Sequence, residues 1–198
     1  MVMQTRPPVA SGRIAHDCPN TTMVHINILR VWELKKYSIV VKKIMFVCHG
    51  NICRSPMAEF IFKDLAKKRG IADHFLIASS ATSTEEIWNG IGNPVYPPAK
   101  AELERHGPSC GGKRAVQLQK SDYDKYDLFI GMDSANIRNM LRIFGGDPAG
   151  KVHKLMDYTA CGGDVADPWY SERFDVAYRD IYDGCTALLD TLLKQDGQ

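Results

Sequence analysis

From residue 39 onward the chain alternates short β-branched runs with amphipathic segments, and this alternation constrains its fold most. The apolar run Ile39–Val47 predicts a buried strand. The segment Pro56–Lys68 places its apolar side chains on one helical face and its lysines on the other. Such alternation favours a parallel sheet with helices on both faces. The other predicted elements are strands at Phe75–Ser79, Leu128–Met132 and Lys151–Leu155 and helices at Ala99–His106, Ser134–Phe144 and Glu172–Lys194.

Composition and charge exclude several classes of protein. A chain of 198 residues that is 44% hydrophobic and 24% charged is neither disordered throughout nor a small disulfide scaffold. No apolar run approaches the ~20 residues of a membrane helix, so we expect no membrane partner. The positive charge is concentrated in residues 1–40, and the nearly neutral remainder gives no reason to expect nucleic-acid binding. The six cysteines show no CxxC pair and no secretory signal precedes them, which favours the cytoplasm.

The chain divides into an extension and one domain. Residues 1–38 contain Pro7-Pro8 and lack sustained periodicity, so we predict an N-terminal extension outside the fold, followed by a domain at 39–198. A start codon placed too early explains the extension better than a regulatory arm, because Met23, Met45 and, with an alternative start codon, Val41 offer later starts.

The loop between the first predicted strand and helix has the features of an anion site. It spans Cys48–Ser55, and Pro56 suits the first helical position, with Ser55 as the predicted cap. Gly50 permits close backbone approach and Asn51 tolerates left-handed backbone. Converging N–H groups and the helix dipole favour an anion here by up to ~2 kcal/mol. Two anions would be stabilised in this loop, a phosphate and a thiolate.

Cys48 and Arg54 are the candidate catalytic pair of this loop. Cys48 stands where the strand ends, so its sulfur can point into the loop, where the amides and a guanidinium favour the nucleophilic thiolate. Arg54, six positions later, can bind two oxygens of the same tetrahedral anion with its planar fork. On the spacing alone, metal binding by Cys48, Cys53 and His49, or simple packing, stay open as alternatives.

The segment VCHGNICRSP resembles the active-site loop of low-molecular-weight protein tyrosine phosphatases, and the likeness extends over about Lys42 to Lys194. It implies an α/β fold, a four-stranded parallel sheet of order 2-1-3-4 with helices on both faces and the phosphate loop at its carboxyl edge. It also implies that no cofactor and no metal is needed. Four further segments follow the family's order, namely Ser79–Ser83, Arg105–Gly107, Gly131–Asp133 and Asp167–Tyr170. The implied phosphate-binding residues are His49, Gly50, Asn51, Ile52, Cys53, Arg54 and Ser55.

The resemblance assigns the general acid to Asp167, which Pro168 restricts to extended backbone. Cys48 then attacks phosphorus to form a phosphocysteine intermediate while Asp167 protonates the leaving phenolate, a contribution of ~10²–10⁴-fold. Asp167 afterwards acts as base for the hydrolysing water, and Ser55 donates its hydroxyl to the sulfur. His49 is assigned no catalytic role.

Further residues are expected around the loop. Trp88, Trp169 and Tyr170 are candidates for the aromatic wall that selects phosphotyrosine by ring stacking and depth. Cys53 is expected to form a reversible disulfide that protects Cys48 from irreversible oxidation, or else to fill the core. The stretch 111–118 departs from the family pattern, which often places there a His that helps to hold the loop Asn. Candidate partners for Asn51 are therefore Ser79, Ser80 and Ser83.

The predicted function is hydrolysis of phosphotyrosine-containing proteins, and of small aryl phosphates in vitro, by a cytoplasmic monomer. A phosphoarginine phosphatase of the same fold carries Thr where Ile52 stands, and an apolar group there suits an aromatic ring better. An arsenate reductase needs two further relay cysteines, but Cys110, Cys161 and Cys185 are well separated. A non-catalytic phosphotyrosine-binding module has no need of Cys48 or Asp167.

Overall fold

A computed structural model describes residues 41–196. The predicted extension at residues 1–38 lies outside the described residues, as does the start of the first predicted strand at Ile39.

Four strands form one parallel sheet, in the spatial order β2-β1-β5-β6. Counted within this sheet alone, the order is 2-1-3-4, so the predicted fold class is confirmed. A separate two-stranded antiparallel hairpin, β3 with β4, follows β2. The strands are β1 Lys42–Cys48, β2 Phe75–Ala81, β3 Ile87–Trp88, β4 Ile91–Gly92, β5 Leu128–Gly131 and β6 Val152–Lys154. The α-helices are α1 Arg54–Lys68, α2 Pro97–Arg105, α3 Ser134–Phe144, α4 Pro168–Ser171 and α5 Phe174–Asp196.

Strand β1 is buried on both faces, because alternate side chains enter two different hydrophobic clusters. Ile44 and Phe46 belong to the larger cluster, on the face covered by α1 and α5. Met45 and Val47 belong to the smaller cluster, on the face covered by α3. This two-sided burial explains why β1 is a continuous apolar run. It also holds the end of β1 in place, and the phosphate loop begins there.

Several element boundaries differ from the predicted ones. Helix α1 begins at Arg54, two residues before Pro56, with Cys53 at the capping position and no side-chain cap. The prediction that Ser55 caps the helix is therefore wrong: its hydroxyl bonds to the Cys48 sulfur instead. The final helix begins at Phe174 because Glu172 adopts left-handed backbone (φ 55°), which separates α4 from α5.

The described residues bear on two expectations from the sequence, the absence of a membrane helix and the state of the cysteines. Among residues 41–196, no helix has the length and apolarity needed to cross a membrane. All five cysteines in this range carry free thiols: Cys48, Cys53, Cys110, Cys161 and Cys185.

Candidate active site

The loop between β1 and α1 lies at the carboxyl edge of the sheet, where neighbouring segments hold it by its carbonyl groups. The N–H of Thr82 donates to the Cys48 carbonyl over 2.9 Å and that of Ser83 to the His49 carbonyl over 3.0 Å. On the other side, the N–H of Tyr96 donates to the Ile52 carbonyl over 2.8 Å. Carbonyls tied outward leave the loop's N–H groups to face its interior, which suits an anion.

The sulfur of Cys48 lies inside this loop within reach of two hydrogen-bond donors. The N–H of Asn51 donates to it over 3.3 Å, and the Ser55 hydroxyl lies 3.0 Å away. The side-chain amide of Asn51 donates to the Ser55 oxygen over 2.8 Å. Because this oxygen already accepts a bond, the Ser55 proton is available for the sulfur.

Asn51 is fully buried in left-handed backbone (φ 57°), and its side chain braces the loop. Besides Ser55, its amide donates to the Ser79 hydroxyl over 2.8 Å, and its carbonyl accepts from the N–H of Val116 over 3.0 Å. Of the three serines proposed as partners, Ser79 makes this contact, whereas the hydroxyls of Ser80 and Ser83 do not bond to Asn51.

Behind Ser79 lies a buried charge cluster that the sequence analysis missed. Ser79 donates its proton to the Glu59 carboxylate over 2.6 Å, and Lys113 lies 2.9 Å from the same oxygen. Lys113 also donates to the Ser79 carbonyl over 3.0 Å. It belongs to the stretch 111–118, which departs from the family pattern. Burial alone would raise the pKa of Glu59, but Lys113 and hydrogen bonds from Lys63 and Ser79 hold it below its ordinary value.

This cluster gives the hydrogen bonds a direction. Since Glu59 is charged, Ser79 must donate to it and can only accept from Asn51. Asn51 therefore donates to Ser55, and the Ser55 proton can go to the Cys48 sulfur at 3.0 Å or to the more distant Ser80 carbonyl at 3.4 Å. Glu59 stands four residues before Lys63, a spacing that predicts a surface ion pair. Its burial, at 5% exposed, depends on β2 lying against α1.

Arg54 is buried, and two carboxylates hold its guanidinium across the loop. Nη1 donates to Oδ2 of Asp133 over 2.7 Å and Nη2 donates to Oδ2 of Asp167 over 2.6 Å. Burial alone would lower the pKa of Arg54, but Cys48, Asp167 and Asp133 outweigh it and raise the pKa above its ordinary value. Asp133 also caps α3 by accepting from the N–H of Asn136 over 2.7 Å. A capping Asp is visible in the sequence, but its contact with Arg54 depends on tertiary structure.

The loop opens into a pocket of about 180 Å³ in which most predicted site residues meet. Asp167 borders it from the opposite side, oriented by the N–H of Trp169, which donates to its Oδ1 over 3.0 Å. Trp88 is 70% exposed and is not part of this lining, so the structure does not bring it to the pocket. The lining comprises Cys48, His49, Gly50, Ile52, Cys53, Arg54, Glu85, Glu86, Asp167, Trp169 and Tyr170.

His49 and Cys53 occupy different environments at this pocket. The His49 ring lies 2.9 Å from the carboxylate of Glu85, an exposed contact between the loop and the segment before β3. A hydrogen bond to His49 lowers the pKa of Glu85 below its usual range. Burial, followed by the charge of Cys48, raises the pKa of the Cys53 thiol to about 12, so Cys53 is a neutral thiol beside the nucleophile.

Comparison with known proteins shows the family of this chain. Residues 43–198 match the family model described as low molecular weight phosphotyrosine protein phosphatase, and the chain belongs to that family. The low molecular weight protein-tyrosine-phosphatase YfkJ of Bacillus subtilis is 37% identical over 154 residues, which cover 77% of this chain and 96% of the relative. The low molecular weight phosphotyrosine protein phosphatase of Sus scrofa is 34% identical over 158 residues, which cover 76% of this chain and 96% of that relative.

Solved structures agree with the sequence relatives. The crystal structure of YfkJ aligns with a TM-score of 0.73 at 36% identity, over 78% of this chain and 96% of that one. The low molecular weight protein tyrosine phosphatase SP-PTP of Streptococcus pyogenes aligns with a TM-score of 0.68 at 34% identity, over 77% of this chain and 93% of that one. The predicted family resemblance is thus confirmed by sequence and by fold.

Proposed function

We propose that this chain hydrolyses phosphotyrosine in proteins through a phosphocysteine intermediate. One observation carries the proposal: the sulfur of Cys48, the guanidinium of Arg54 and the carboxyl of Asp167 border the same small pocket. A nucleophile, an oxyanion clamp and a proton donor are the three groups that displacement of a phenolate from phosphorus requires.

The geometry supports a two-step reaction. Cys48 attacks phosphorus, the bond to the phenolic oxygen breaks, and Asp167 gives the departing oxygen a proton. In the second step Asp167 removes a proton from water as its oxygen attacks phosphorus and releases the Cys48 sulfur, which the Ser55 hydroxyl stabilises. The loop N–H groups and Arg54 hold the equatorial oxygens, and Asp133 keeps Arg54 in place when Asp167 turns to the substrate.

A comparison of three phosphorylated substrates tests this function. We expect phosphotyrosine peptides and p-nitrophenyl phosphate to be hydrolysed, phosphoserine and phosphoarginine peptides to be turned over far more slowly, and vanadate to inhibit. Cys48→Ser should abolish turnover while it still binds phosphate. Asp167→Asn should lower kcat by ~10²–10⁴-fold, most for substrates with poor leaving groups. Full activity of Cys48→Ser, or a preference for phosphoarginine, contradicts the proposal.

The structure favours this function over its rivals. Ile52 borders the pocket with an apolar side chain, which suits an aromatic ring better than a guanidinium. An arsenate reductase needs two further cysteines to relay a disulfide, but Cys110 and Cys185 are almost completely buried, and Cys161 is the one exposed cysteine among residues 41–196. Trp169 and Tyr170 border the pocket and are 52% and 87% exposed, so both rings are free to stack on phosphotyrosine.

We also propose that Cys53 protects the nucleophile. Peroxide converts the Cys48 thiolate to a sulfenic acid, and the Cys53 thiol then attacks that sulfur, forms a disulfide and releases water. Cys48 and Cys53 line the same small pocket, and the charge of Cys48 helps to raise the pKa of the Cys53 thiol. After peroxide and then thiol treatment, Cys53→Ser should regain less activity than the parent. Equal recovery contradicts this role.

The proposal places the protein in the cytoplasm, because a nucleophilic thiolate keeps its activity only where thiols stay reduced. We also propose that the protein is a monomer. Size-exclusion chromatography with light scattering tests this directly.

A further inference from the structure

A second groove lies next to the candidate active site and shares one wall with it. Its volume is about 530 Å³, and it is lined by Tyr96, Pro98, Pro168, Trp169, Glu172 and Phe174. Trp169 borders both cavities. A peptide whose phosphotyrosine occupies the first cavity therefore passes over this indole and reaches the second within a few residues.

Three aromatic rings in the lining of this groove form a row. The Tyr96 ring lies at its centre, 5.1 Å from the Trp169 ring and 5.9 Å from the Phe174 ring, measured between centroids. The backbone N–H of Tyr96 also bonds to the Ile52 carbonyl of the phosphate loop, so the row is anchored to the loop that would hold the phosphate. Aromatic faces of this kind attract cations and the methylene stems of long basic side chains.

One carboxylate stands beside the rings. Glu172 is exposed at the end of α4 and lines the groove, and no hydrogen bond or ion pair within residues 41–196 involves its carboxylate. The adjacent Arg173 is occupied by a two-point contact with Asp175 at 2.9 and 2.8 Å, so its charge does not neutralise Glu172. Glu85 and Glu86 add further negative charge at the rim of the first pocket.

We infer that this groove, defined by Tyr96, Trp169, Phe174 and Glu172, is a specificity subsite for an arginine or lysine a few residues from the phosphotyrosine. The methylene stem packs over the aromatic row, and the cationic head faces the rings and the Glu172 carboxylate. The inference rests on the proposed phosphotyrosine phosphatase function and adds the class of sequence that the enzyme prefers.

Peptide kinetics test the subsite. Phosphotyrosine peptides with alanine at all flanking positions are compared with peptides carrying arginine, norleucine or glutamate at each of the three positions on either side. At one or two positions arginine should raise kcat/KM by about five- to tenfold over alanine, the combined effect of a cation–π contact and an exposed ion pair. Norleucine should give a smaller gain, and glutamate a loss.

Two variants that remove one negative charge each separate local recognition from bulk electrostatics. Glu172→Gln should remove the ion-pair part of the arginine preference, a reduction of about two- to threefold, and leave the smaller cation–π part, while hydrolysis of p-nitrophenyl phosphate is unchanged. Asp124 is exposed and precedes the amino end of β5, at the edge of the sheet opposite the phosphate loop, so Asp124→Asn should keep the full preference.

Other results would contradict either the subsite or the proposed function. An arginine preference that is undiminished in Glu172→Gln, or a norleucine effect equal to that of arginine, overturns the basic subsite, as does kcat/KM that is independent of sequence. If the parent hydrolyses neither the peptides nor p-nitrophenyl phosphate, the proposed function itself is wrong, and the subsite with it.

Discussion

At the scale of single residues, Asn51 carries much of the geometry of the candidate site. Its left-handed backbone turns the loop, and its side chain joins three segments, since it contacts Ser55 on α1, Ser79 on β2 and Val116 on the loop before β5. The sequence predicted the tolerance for left-handed backbone, because Asn is among the few side chains that accept it. It did not predict Val116, since this bond uses only the backbone N–H.

Replacement of Asn51 separates its two contributions. Asn51→Ala should lower the free energy of unfolding by about 2–4 kcal/mol, because buried polar groups lose partners and alanine is strained at positive φ. Asn51→Gly loses the same bonds without the strain and should be about 1 kcal/mol more stable than Asn51→Ala. Urea unfolding and kcat with p-nitrophenyl phosphate measure both effects. Equal stability of the two variants, or an unchanged kcat, contradicts this role of Asn51.

Glu59 gives a prediction about pH. Its pKa is lowered in the folded protein, so its contribution to stability is fully present above its unfolded pKa near 4.5 and is lost as the pH falls through the folded value. Since glutamine does not titrate, Glu59→Gln should cost about 1–3 kcal/mol at neutral pH and progressively less below pH ~4.5. Urea unfolding over a pH series measures the difference.

The matched control for Glu59 is Glu104→Gln. Glu104 is half exposed and lies 3.8 Å from Lys100, so its loss should change the free energy of unfolding by less than about 0.5 kcal/mol at every pH. A cost for Glu59→Gln that is the same at acid and neutral pH contradicts the charged cluster.

At the scale of elements, the packing of α5 against the short helical turn Leu155–Tyr158 depends on Gly184. A Cβ at Gly184 would lie 2.6 Å from Cγ of Leu155, a side chain that is itself fully buried. The helical periodicity of α5 was visible in the sequence. The reason for a glycine in its interior was not, because it lies in a segment 29 positions away along the chain.

Gly184→Ala therefore has opposing effects. In an unobstructed helix this change stabilises by roughly 0.5–1 kcal/mol, but here the clash should produce a net loss of about 1–3 kcal/mol. Asp183→Ala, on the exposed side of the same turn, should be neutral or slightly stabilising. Thermal and urea unfolding of both variants measure the change in the free energy of unfolding. A stabilised Gly184→Ala contradicts the expected clash and shows that the Leu155 side chain moves aside without loss of stability.

At the scale of the whole molecule, the hydrophobic clusters on both faces of the sheet consist of residues between Ile44 and Leu193. The family match spans residues 43–198, and the relatives align over nearly their whole length with the same part of this chain. We therefore propose that the domain begins near residue 39 and folds without the preceding segment.

A truncated chain tests this boundary. A protein that starts at residue 39 should unfold within a few degrees of the full chain and keep kcat/KM for p-nitrophenyl phosphate within about twofold, because both hydrophobic clusters of the described residues keep all their members. A large drop in Tm, or loss of activity with the fold intact, assigns a structural or functional role to residues 1–38. N-terminal sequencing of the native protein separately tests the predicted late start.

The sequence by itself determined the order of the four sheet strands and the four longer helices, and the position of the loop from Cys48 to Ser55, but not the β3–β4 hairpin or the short helix α4. These features follow from local periodicity and from the chemistry of adjacent residues, which a linear pattern records. Tertiary structure alone decided that Asp133 holds Arg54, that Lys113 and Glu59 orient Ser79, and that Trp88 lies away from the pocket. Such contacts join segments far apart in the chain, so they exist only once the strands have set the spacing between their loops.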